Sequence, residues 1–141
     1  MCINDPCGIL PVCFDFSMEI KNQVCSFALA TRLKELGACQ LSYFVWARMW
    51  GENSMGDRIT FNGVIPTESA ANNSYLEETL CSAFTVAELG EILVGRAYSA
   101  GTEKDKWACR LNGVQRVVTA DTEADARAKM LVYLLENNLI S

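Results

Sequence analysis

The residue pattern predicts an α+β fold: two antiparallel hairpins forming one sheet of about four strands, with about three helices packed on it. Three observations carry this. Residues 41–50 (LSYFVWARMW) are β-branched and aromatic and are followed, across a polar turn, by the alternating run 58–62 (RITFN). Two more strand-like runs, 107–111 and 114–119, flank Asn112-Gly113, a dipeptide that suits a tight hairpin because both turn positions of type I′ require φ > 0. Between and around the hairpins, apolar residues recur at helical spacing behind capping residues.

In chain order, residues 1–17 (MCINDPCGILPVCFDFS) contain two of the three prolines and show neither helical nor strand period. They read as an irregular N-terminal extension, with 18–141 as a single α+β domain. Ser26 is a cap, Leu29, Ala30, Leu33 and Leu36 form an apolar stripe, and Gly37 suits a left-handed stop, which predicts the first helix. The strand 41–50 and the run 58–62 make the first hairpin. Residues 63–73 read as loop, and 75–82 fit either a short helix or a strand. Thr85-Val86-Ala87-Glu88 matches the capping box, in which Thr85 accepts from a backbone N–H and Glu88 reaches back to the cap, so a short helix follows to about Leu93. Residues 95–105 are polar and glycine-punctuated and read as loop. The last helix begins near Thr122 with Asp121, Glu123 and Asp125 at its positive end, turns apolar through Met130 to Leu135, and stops at Asn137 and Asn138. The two β-β-α stretches hint at an internal repeat that residue identities do not support.

Composition bounds the function. The chain has 141 residues, half of them apolar, with 12 basic and 17 acidic side chains for a net charge of −5. That length suits one domain with a core, and that balance disfavours non-specific nucleic-acid binding, while two or three arginines in one place still suffice for a small anion. The seven cysteines are odd in number and contain no C-x-x-C pair, which predicts reduced thiols packed as small hydrophobes. Neither a signal-peptide pattern nor an apolar run of membrane-spanning length is present, so the expected compartment is a cytosol without a membrane partner.

The chain contains no histidine, which removes the usual general base and every nucleophile–His arrangement. No catalytic residue, metal site or cofactor is therefore expected. Cys109 is the one thiol with a candidate activator, because simple two-residue hairpin register sets it opposite Arg116; the competing reading is a packed thiol. Glu77-Glu78 and Glu88 with Glu91 lack the surrounding pattern of a calcium loop.

The informative feature is the strand 41–50, which has two apolar sides. Leu41, Tyr43, Val45, Ala47 and Met49 form one; Ser42, Phe44, Trp46, Arg48 and Trp50 form the other. A strand covered by helices on one side normally shows polar residues on its second side, and here that side shows two indoles around a guanidinium. Phe44, Trp46, Arg48 and Trp50, with Arg58 on the partner strand, are the expected ligand-binding residues: such a face stacks a planar ring and holds a phosphate. Equally, it is the composition of a protein-interface hot spot, and the third reading is that helices or the N-terminal extension cover this side as well. Arg96 and Tyr98, between Gly95 and Gly101, are a second, weaker candidate.

Gln23 to Gly37 (QVCSFALATRLKELG), Phe84 to Leu93 (FTVAELGEIL) and Thr119 to Ile140 (TADTEADARAKMLVYLLENNLI) resemble a family of uncharacterised bacteriophage and prophage accessory proteins. The resemblance covers about a third of the chain and carries over no site residue. It implies a virus-encoded accessory protein in the host bacterial cytoplasm. In that setting the expected activity is non-enzymatic: sequestering a nucleotide-type immune signal, in a homo-oligomer, or binding a host defence protein. A small enzyme using Cys109 or a carboxylate-bound metal is the remaining alternative.

Overall fold

The computed structural model describes residues 20–140 apart from residue 103. The N-terminal extension and the start assigned to Met18 lie outside the described residues. The protein is α+β. Its elements are α1 (Ile20–Gln23), α2 (Phe27–Glu35), β1 (Phe44–Glu52), β2 (Arg58–Pro66), a 3-10 turn (Thr67–Asn72), β3 (Leu76–Ser82), α3 (Val86–Leu93), β4 (Ala97–Gly101), β5 (Trp107–Leu111), β6 (Val117–Ala120) and α4 (Glu123–Glu136).

The strands form two three-stranded antiparallel sheets, ordered β2-β1-β3 and β4-β5-β6, where one sheet of about four strands was expected. Each expected hairpin gains a strand. Residues 75–82, ambiguous in sequence, are β3, which pairs with β1. Residues 97–101, expected as loop, are β4, paired with β5 from Ala97↔Leu111 to Gly101↔Trp107. β4 (AYSAG) is short, has no β-branched residue and consists of small residues apart from Tyr98, so it carries little strand signal of its own; backbone pairing and the anchoring of Ser99 to α4 place it. Likewise β2 runs on to Pro66, past the Phe61-Asn62 at which alternation fades. The two halves are not copies, because β1 is central in the first sheet and β5 in the second.

Helix ends follow the capping chemistry. Ser26 Oγ accepts from Leu29 N–H, Thr85 and Glu88 form the reciprocal capping box, and Thr122 Oγ1 accepts from Asp125 N–H. Gly37 sits at φ 89°, in the left-handed region. The Asn112-Gly113 turn departs from the two-residue form: Gly113 alone has positive φ, at 80°, and Leu111 N–H donates to Arg116 O, so the loop spans residues 112–115.

The core lies where α2, α3 and α4 meet the second sheet. It contains Cys25, Leu33, Phe84, Leu89, Leu93, Cys109, Met130, Leu131 and Leu134. α4 packs on β4, β5 and β6 with its alanines inward, and α2 reaches the first sheet at β3. A polar joint sits at the edge of this core. Arg127 donates from Nε to Ser99 Oγ (2.9 Å), from Nη1 to Val86 O (2.6 Å) and from Nη2 to Glu123 Oε2 (3.0 Å), tying α4 to β4 and α3.

Candidate recognition surface

β1 alternates as expected, but its two sides are used differently from the expectation. Val45, Ala47 and Met49 are buried, while Leu41 and Tyr43 precede the strand and are exposed. The indole side is divided along its length. Trp46 is half-buried and points into the helical layer: its Nε1–H donates to Cys25 O at 3.0 Å, and its ring meets Phe27 edge-on at 5.7 Å. Phe44 is likewise half-buried. Along the distal half Arg48 is exposed, and Trp50, although half-buried like Trp46, meets Tyr75 and Arg58 instead of the helical layer.

At that distal half a platform is assembled from three strands or their ends. Trp50 lies 5.2 Å from Tyr75 between ring centroids, and the Arg58 guanidinium sits 4.7 Å above the Trp50 ring. Trp50 Nε1–H donates to Ser74 O, and Trp50 N–H to Tyr75 O, so the segment before β3 is fastened to the strand from both backbone and side chain. Asn73 Oδ1 accepts from Tyr75 N–H, shaping the bend that presents the tyrosine. On the far side, Asn53 Oδ1 accepts from Met55 and Asp57 N–H and holds the β1–β2 turn.

Both arginines of the platform are already paired. Arg48 meets Glu78 at 2.7 Å and Arg58 meets Glu77 at 2.6 Å. The register explains how two consecutive acidic residues serve one side of a sheet: Arg48 pairs with Glu78 but Met49 with Leu76, so Glu77 is the extra residue of a β-bulge. Those carboxylates neutralise the guanidinium groups expected to hold a phosphate. Tyr75 is the platform residue that sequence reasoning missed; its segment had no assigned element, and only the pairing of β3 with β1 brings it to Trp50.

The remaining expected residues lie on the second sheet, with no described contact to the platform. Arg96 extends toward Leu139 O at 3.5 Å, and Tyr98 is exposed on β4 opposite Arg110.

The Cys109 expectation is corrected by register. Cys109 pairs with Val118, while Arg116 stacks on the Tyr133 ring at 4.4 Å. The four-residue loop shifts the partner by two positions. Cys109 is fully buried and burial pushes its thiol up, against the opposing influence of Arg127. Cys81 is pushed up by burial as well, and Cys25 is pushed up from the ordinary 9.0 to about 12 for the same reason. Deprotonation of these thiols is thus harder in the folded chain than in the unfolded one. Above pH 9 the unfolded chain loses its thiol protons first, so the contribution of Cys25 to stability, fully present below pH 9, falls as pH rises towards 12, by up to about 1.4 kcal/mol per pH unit, and Cys81 and Cys109 act in the same direction. Urea midpoints at pH 8 and pH 10.5 measure this. Cys25→Ala should flatten the decline, and an unchanged slope in that variant would refute the assignment.

A cavity of about 490 Å³ between residues 40–43 and α3 is walled by Leu41, Tyr43, Phe84 and Ile92. Its Glu88 accepts from Thr85 N–H and Tyr43 N–H, so that carboxylate is committed to the cap and to the approach to β1. Among the described residues no group of three His, Cys, Asp or Glu side chains is placed to hold a metal ion, and no helix is long and apolar enough to cross a membrane. Comparison with protein-family models, with curated proteins and with solved structures yields no match. The functional reading therefore rests on the residues of this chain.

Proposed function

We propose that this protein is a non-enzymatic accessory protein of a bacteriophage or prophage, acting in the host bacterial cytoplasm by binding a host defence protein through the Trp50–Tyr75–Arg58 platform. The carrying observation is that a guanidinium lies over the Trp50 ring and the Tyr75 ring packs against it at a tilt, with the platform's charge internally balanced by Glu77 and Glu78. Trp, Tyr and Arg are over-represented at the energetic centres of protein interfaces, and pairing of the two guanidinium groups with carboxylates leaves the rings as the main binding element of this face. Phage origin rests on the resemblance of the three segments quoted above.

Sequestration of a nucleotide-type signal, with the pocket completed in a homo-oligomer, is the second reading. The Trp50 ring favours it; the committed partners of Arg48 and Arg58 weigh against phosphate binding at this face. One set of experiments separates the two. In bacteria carrying an active defence system, the wild-type protein should restore plaque formation, and Trp50→Ala and Tyr75→Ala should each lower that rescue at least tenfold while the melting temperature stays within a few degrees. Thermal shifts against cyclic di- and trinucleotides and cyclic ADP-ribose variants should be the same for the wild type and Trp50→Ala if the partner of the platform is a protein. Undiminished rescue by both variants would sink the platform reading, and a large shift with one nucleotide that Trp50→Ala abolishes would favour sequestration there.

A further inference from the structure

On the second sheet, the side turned away from α4 carries a groove of about 680 Å³ bounded by β4, β5, the start of β6 and the 112–115 loop. Its floor includes Tyr98 and Arg110, directly opposite each other on adjacent strands, and Val117, the partner of Arg110 on the other side. Side chains so placed share a face and lie within contact range of one another. Gln115 and Val114 form the loop wall.

Three observations distinguish this groove from the platform on the first sheet. First, Arg110 is exposed and makes no ion pair or hydrogen bond among the described residues, and the same holds for the Tyr98 hydroxyl and the Gln115 amide. Its neighbours are engaged elsewhere: Arg116 on Tyr133, Arg96 near Leu139 O, Asn112 on Gly95 O. Second, the groove is held open by backbone. Asn112 N–H donates to Arg96 O at 2.7 Å and Leu111 N–H to Arg116 O at 3.0 Å, so the loop is tied to both flanking strands. Third, the charge of the chain is unevenly spread. Residues 95–141 hold seven of the twelve basic side chains and six of the seventeen acidic ones, a net +1 against −6 for residues 1–94. The segment that carries the second sheet is thus close to charge balance and does not share the acidic excess of the rest of the chain.

We infer that this groove is a binding site for a small phosphate ester carrying a flat ring, of the size of a nucleoside monophosphate. Arg110 takes the phosphate through paired N–H donors, Tyr98 takes the ring by stacking, and the Gln115 amide reaches polar atoms on the ring edge. The site is separate from the Trp50 platform and does not depend on the function assigned to it.

Calorimetric titration of the full chain at low salt with the monophosphates of adenosine, guanosine, cytidine and uridine tests this, with adenosine and inorganic phosphate as separate arms. Saturable binding of at least one monophosphate is expected, with inorganic phosphate and adenosine each at least tenfold weaker than the best. Arg110→Ala should weaken that binding at least tenfold, Arg110→Lys should recover only part of it because the paired donors are lost, and Tyr98→Ala should remove the preference over inorganic phosphate. Trp50→Ala should leave the affinity unchanged, which keeps failure of the groove distinct from failure of the platform. Both groove residues are exposed, so melting temperatures should match wild type. Absence of saturable binding by all four monophosphates, equal affinity in Arg110→Ala, or binding of inorganic phosphate alone would overturn the proposal.

Discussion

Replacing Gly90 with alanine is expected to destabilise the protein by about 1–2 kcal/mol, although the same change in a helix interior ordinarily stabilises by roughly 1 kcal/mol. Gly90 lies within α3, and a Cβ there would stand 2.4 Å from Arg127 Nη1. A long side chain normally swings aside, but this guanidinium is held by Ser99, Val86 O and Glu123, and both it and Glu123 are mostly covered, at 22% and 25% exposed. Moving it breaks charge-assisted bonds in a partly desolvated site, each contributing about 1.5–3 kcal/mol before relaxation. Arg127→Met, which keeps the aliphatic stem and removes the donors, should therefore lower stability by about 2–3 kcal/mol. The decisive comparison is the double variant. With methionine at 127 the obstruction is gone, and Gly90→Ala should then become stabilising by up to about 1 kcal/mol. Urea unfolding of the four proteins measures the cycle, and a stabilising Gly90→Ala in the wild-type background would refute the joint.

The second large effect separates the two indoles of β1. Trp46→Ala should cost about 2–4 kcal/mol, since it empties the space against Phe27 and leaves Cys25 O without its indole donor. Trp50→Ala should cost under about 1.5 kcal/mol, because its ring packs at the surface against Tyr75 and Arg58. If instead the two substitutions prove equally destabilising, Trp50 is structural and the platform loses its case as a recognition surface. The contrast matters for function because the variant used to test binding must fold.

Much of the architecture was legible in the residues. The α+β class, the caps at Ser26, Thr85 and Thr122, the β1–β2 hairpin and the pairing of β5 with β6 all follow from local chemistry, in which a hydroxyl accepting a nearby N–H or an alternating apolar run acts within a few positions. The site was legible only in part. Arg48 and Trp50 share one side of β1 by alternation, and Arg58, whose direct partner is Glu52, reaches the Trp50 ring from the diagonal position on β2.

What sequence alone determined, then, is everything set by short-range rules: helix ends, strand alternation, the absence of imidazole chemistry, and the presence of an indole-rich strand. Tertiary structure decided which indole is covered, which arginines are already paired and which segments become third strands. β4 is a strand because β5 offers it hydrogen bonds and Ser99 reaches α4, not because AYSAG prefers to extend. Glu77 and Glu78 neutralise two arginines because a bulge turns both towards them, and Arg110 has no ion pair among the described residues because its cross-strand partners, Tyr98 and Val117, carry no charge. Such outcomes depend on partners distant in the chain, and a local pattern carries no record of a partner that only folding supplies.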